Sequence, residues 1–163
     1  MGPLSSSDII LFAHPTFGVL GILAGVWVMV EALNASPANA KRIWLAAIAC
    51  TGCIVASWIL GGYWYVNFYY AEKAVILKGP WPWAHNIVME TKEHLFFIPL
   101  VLALYLPFVA RCNLARSRPT RFMAVTVAFL IVGSSLVIEG SGALINAGAK
   151  VAFIHSGVKG VEK

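Results

Sequence analysis

Four apolar runs, at about 9–32, 43–65, 84–109 and 122–143, dominate the chain. As helices, all four are long enough to cross a hydrocarbon layer of about 30 Å at 1.5 Å per residue. Runs of this length and apolarity are read as membrane-spanning helices. Composition agrees: 60% of the 163 residues are hydrophobic and 12% charged, against about 25% charged in a soluble domain. The expected fold is all-α, an integral membrane four-helix bundle. It forms a single transmembrane domain over 1–163, with a mildly amphipathic tail at 146–163 and no separate soluble domain.

The net charge of +5 would suggest nucleic acid in a soluble protein, but in a membrane chain basic residues first report topology. Arg42, Arg111, Arg116, Arg118 and Arg121, together with Lys41, all fall in the loops joining runs one to two and three to four. The positive-inside rule makes these loops cytoplasmic. Both termini and the 70–83 loop then face the other side, which for a bacterial inner membrane is the periplasm. The lead Met1–Asp8 has no Lys or Arg, unlike the n-region of a cleaved signal peptide, so the first run is expected to be retained. Met1–Ser6 matches a loose myristoylation pattern that Pro3 fits badly. Tyr63, Tyr65, Tyr69, Tyr70, Trp81 and Trp83 mark a membrane interface, and Ala71 to Pro80 reads as a surface hairpin turning at Gly79-Pro80. Pro99 and Pro107 are expected to kink the third helix.

Ionisable groups within such runs are costly and rarely idle. The third run opens on His85, Glu90, Lys92, Glu93 and His94. Helical spacing puts His85, Met89 and Lys92 on one stripe, with Glu90 and His94 on the neighbouring one. In the first run His14 heads a stripe of Gly18, Gly21, Gly25, Met29 and Ala32. A glycine row admits close approach by a neighbouring helix, the commoner use, or by a flat cofactor. Glu139 lies late in the fourth run and His155 in the tail, so every histidine falls on the side opposite the arginines. Cys50 and Cys53 have C-x-x-C spacing, but thiols inside a membrane act mostly as small hydrophobes.

His85 and His94 stand about 13 Å apart along a helix and on opposite faces, so they cannot share one metal. Two levels follow, an inner one pairing His14 with His94 and an outer one pairing His85 with His155. Imidazoles from different helices of a bundle are a usual way to hold haem iron, and in layout the chain resembles the four-helix b-type cytochromes of respiratory membranes. The favoured reading is an electron-transfer subunit, rather than a stand-alone enzyme, with one or two b-type haems near the outer face. It would exchange electrons with quinone and with other membrane or periplasmic redox subunits. Glu90, Glu139 and Tyr63 are its candidate proton or quinone contacts. A second reading has His14, Glu90, His94 and Glu139 binding a divalent metal. The third is a cofactor-free structural subunit whose histidines are interfacial or hydrogen-bonded and whose charges only fix helix register. No catalytic triad and no inverted transporter repeat is visible.

Overall fold

The computed structural model describes residues 6–161, with side chains described as far as Gly157. Met1–Ser5 and Glu162–Lys163 lie outside, and with them the myristoylation pattern and the last of the polar tail. The described chain is all helical: α1 (Ser6–Leu33), α2 (Ala40–Lys78), a π-helical turn (Ala84–Met89), α3 (Glu90–Leu95), α4 (Phe97–Ala110) and α5 (Arg118–Val161). Four spans are long and apolar enough to cross a membrane: α1, α2, the composite third span Ala84–Ala110, and Arg118–Gly157 within α5. Between 28% and 33% of each span's most apolar stretch is buried inside the protein. The remaining surface, with Phe12, Val66, Phe108 and Phe122 strongly exposed, suits contact with lipid.

The spans pack as a closed ring in chain order. α1 lies against α2 and α5, the third span lies against the same two helices, and α1 and the third span stand diagonally without packing together. Glycines set the α1 contacts. Going up α1, His14, Gly18, Gly21 and Gly25 meet Gly61, Ser57, Ile54 and Cys50 going down α2, an antiparallel register kept without slip. On its other flank Gly18 meets Glu139 and Gly25 meets Val132 of α5. The glycine stripe is therefore used for helix packing, the commoner of its two uses. Cys50 sits buried against Gly25 in this contact.

Proline ties α2 to the third span. Pro107 lacks the N–H that would bond the Ala103 carbonyl four residues back, and the Thr51 hydroxyl of α2 supplies the donor at 2.6 Å. Pro99 likewise has no N–H for the Leu95 carbonyl, and α3 gives way to α4 there, with Phe96 between them still helical. Further along, the Tyr69 hydroxyl meets His85 Nδ1 at 3.1 Å, in the same antiparallel register as Thr51 and Ala103.

α2 and α5, of 39 and 44 residues, run well beyond the expected 43–65 and 122–143. The surface hairpin expected at Ala71 to Pro80 is instead the last turns of α2, closed by the Gly79 N–H on Ile76 O. The reason is packing: Tyr69 and Ile76 are buried with Ala84, Met89, Ile145 and Ala149 in a second apolar core. That core is separate from the main one around Val28, Cys50, Leu106 and Ile131. The tail is likewise a continuation of α5, held where Gly79 packs on Ala152.

Replacing Thr51 by Val strands the Ala103 carbonyl and should cost about 1–3 kcal/mol. Adding Pro107→Ala, which restores the intrahelical donor, should recover most of that loss. Thermal unfolding in detergent followed by tryptophan fluorescence measures both, and a Thr51→Val that Pro107→Ala fails to rescue would reject this account.

Candidate functional site

The junction between the two cores carries the polar side chains. His14 of α1 turns toward α2, where its Nδ1 lies 2.9 Å from the Ser57 carbonyl. The Ser57 hydroxyl, 1% exposed, donates to the His14 carbonyl at 3.1 Å. The imidazole rests on Gly61, where a Cβ would come within 2.6 Å of the ring. Only glycine admits the ring at that point. A donor Nδ1 fits the carbonyl it faces and leaves Nε2 as the open acceptor.

Two further ionisable side chains lie along α5 near this point. Glu139 of α5 packs against Gly18, and Lys92 of the third span against Gly142, with Nζ 3.2 Å from where a Cβ would stand. Lys92 and Glu139 act on each other electrostatically, and Lys92 also acts on His14. Neither charged group makes a direct hydrogen bond or ion pair among the described residues. Next to them, Glu93 keeps Oε1 buried without a hydrogen bond, and the Tyr65 hydroxyl interacts with the same carboxylate. Groups left open in an apolar bundle are strong attractors for water, protons or a polar ligand.

The π-helical turn builds the neighbouring layer. π turns are rare and recur at functional sites. Here the wide turn buries both His85, 3% exposed, and Met89, 7% exposed, while His85 bonds Tyr69. Tyr65 stacks on Tyr69 with ring centroids 5.2 Å apart, and Trp64 packs from another direction at 5.8 Å. His85 thus rests on Tyr69, its ring centroid 5.7 Å away, and Tyr69 is itself held by these two rings.

Of the residues singled out in the sequence, the structure sets His14 and Glu139 on either side of the contact between Gly18 and Ser57, and Lys92 against Gly142 of α5. It does not bring His94 or Glu90 to them. Both are exposed on the outward face of α3, where His94 Nδ1 sits 2.7 Å from the Glu90 carbonyl of its own turn. His155 is exposed and borders a surface recess with Pro80, Val151 and Ile154; no hydrogen bond or ring contact joins it to His85. Among the described residues no three of His, Cys, Asp and Glu converge into a group able to hold a metal. Ser57 and Tyr69 escaped the sequence reading. Ser57 lies on the Cys50, Ile54, Gly61 stripe of α2, a readable signal, whereas Tyr69 was one tyrosine among several in an aromatic run.

Comparison with protein-family models, curated proteins and solved structures returns no match to this chain.

If Lys92 and Glu139 depend on each other, Lys92→Met and Glu139→Gln should be non-additive, the double variant being more stable than the two single losses imply by about 0.5–3 kcal/mol. Unfolding midpoints of the four proteins in one detergent close the cycle; additivity within about 0.3 kcal/mol would show the two charges to be independent.

Proposed function

We propose that the chain is a membrane electron-transfer subunit that carries b-type haem near the His14 end of its bundle and exchanges electrons with quinone. One observation carries the reading. His14, His85 and His94 each engage Nδ1 with an oxygen, at 2.9, 3.1 and 2.7 Å, and none has a hydrogen bond to Nε2 among the described residues. Imidazoles that ligate metals commonly use one nitrogen for an orienting oxygen and present the other to the metal.

Bound haem would supply reversible one-electron chemistry at iron. The protein's share is orientation and charge. Ser57 fixes the ring of His14, and the Glu90 carbonyl fixes that of His94. His85 is held by Tyr69, with His155 as its outer-level counterpart. Lys92 offers a cation to haem propionates or to a quinone oxygen, and Glu139 and Glu93 offer carboxylates to protons that accompany electrons. The arginine loops are proposed to be cytoplasmic in a bacterial inner membrane, which places the histidines toward the periplasm and its redox partners.

A cofactor-free structural subunit is the second reading, and a specific observation favours it. Gly18, Gly21, Gly25 and Gly61 are already filled by neighbouring side chains, and His14 and His94 stand on helices that do not pack together. A divalent metal is the third reading, with His14, Glu139, His94 and Glu90 as its donors.

Protein purified in detergent from cells supplied with a haem precursor should show a Soret band, and an alpha band after dithionite reduction. His14→Ala and His94→Ala should each abolish the same signal. A colourless protein without iron rejects the haem reading, and zinc or copper found by elemental analysis would favour the third. Sidedness has its own check. Cys112 is exposed in the arginine loop, so a membrane-impermeant maleimide should label it only after the inner membrane is opened; labelling in intact spheroplasts would invert the topology.

A further inference from the structure

At the opposite end of the bundle from His14, the last residue of α1 and the first turns of α5 enclose a recess of about 340 Å³ lined by Leu33, Arg118, Arg121, Phe122 and Val125. Its chemistry is divided. Leu33, Phe122 and Val125 form an apolar wall, and two guanidinium groups stand at the rim.

The arginines at this end are not equivalent. Arg42 makes two bonds to Glu31, at 3.0 and 3.2 Å, and Arg111 lies over the Trp44 ring at 5.1 Å. Arg121 uses Nε and one terminal nitrogen on the Leu114 and Ala115 carbonyls, both at 3.1 Å. These two bonds hold Arg121 in place beside the recess and leave its other terminal nitrogen unused. Arg118 is exposed and has no partner among the described residues. Two cations in one recess, one fixed and one unengaged, call for an anion. The apolar wall, continuous with the exposed Leu33 and Phe122 at 58% and 74%, calls for an acyl chain.

We propose that this recess binds the phosphate of an anionic membrane phospholipid, with Arg118 and Arg121 on the phosphate oxygens and the lipid chains along Leu33, Phe122 and Val125. Guanidinium forks match phosphate oxygens in pairs. Basic recesses between spans at the membrane surface are the usual seats of such headgroups. The proposal does not depend on any cofactor at the other end.

The experiment is native mass spectrometry of the full chain in detergent, titrated with phosphatidylglycerol, with phosphatidylcholine and with inorganic phosphate. One phosphatidylglycerol should bind in clear preference to phosphatidylcholine. Arg118→Gln should weaken it roughly tenfold, as expected for loss of a charge-assisted contact. Leu33→Trp, which fills the apolar wall from an exposed position, should weaken it as well, and Lys78→Gln at the far end of α2 should leave it unchanged. Equal binding of the two lipids, or indifference to both recess variants, overturns the site. Displacement of the lipid by equimolar inorganic phosphate overturns the lipid assignment in favour of a free anion.

Discussion

In a hydrocarbon solvent a carbonyl released from its helix must find a donor within the protein, and the Ala103 carbonyl finds Thr51. That bond fixes how far α2 is displaced along the third span, and the same register brings Tyr69 to His85 some 27 Å away at the helical rise. The polar groups of the candidate site lie beyond this anchor. If α2 moved by one turn, Tyr65 would lose Glu93 and Tyr69 would lose His85. The proline that breaks one helical bond thus secures the alignment of a whole helix pair.

Glycine does the complementary work on α1. Its small residues let α1 approach α2 and α5 closely enough for His14 to reach the Ser57 carbonyl and for Gly18 to receive Glu139. Both contacts need a missing side chain on the facing helix. A stripe that could have opened a cofactor slot is instead closed by packing, and the open valences are on side chains rather than in a cavity. Nε2 of the histidines, Nζ of Lys92 and the carboxylates of Glu93 and Glu139 are the groups with capacity left to bind.

The fold was legible because the four apolar runs are long and their ends are marked by arginine, proline and aromatic residues. That His85, Met89 and Lys92 share a stripe also followed from spacing. Helix length was not legible. The segment after Tyr70 mixes Glu72 and Lys73 with apolar residues, and only a second core shared with the third span and α5 keeps it helical. Less of the candidate site followed from the sequence. His14 and Glu139 flank the same contact of Gly18 with Ser57, but His94 and Glu90 lie on the outward side of α3, because the inward stripe is taken by Met89 and Lys92. A stripe count can separate two faces of a helix, yet which face looks inward depends on partners that lie far off in sequence.

The stretch of α2 from Arg42 to Gly61 is about 28 Å long at the helical rise, close to the thickness of a bilayer's hydrocarbon core. A hydrocarbon layer beginning at Arg42 would end near the level of His14, Lys92 and Glu139. This has an electrical meaning. A charge passed between that level and the adjacent water crosses almost none of the membrane potential. The same charge delivered to the arginine side crosses nearly all of it, about 2.3 kcal/mol for each 100 mV. The dry core of alanine, isoleucine and leucine between the two layers acts as the insulator. In the proposed electron-transfer role, the depth of the polar cluster would set which exchanges do work against the membrane voltage and which are electrically silent.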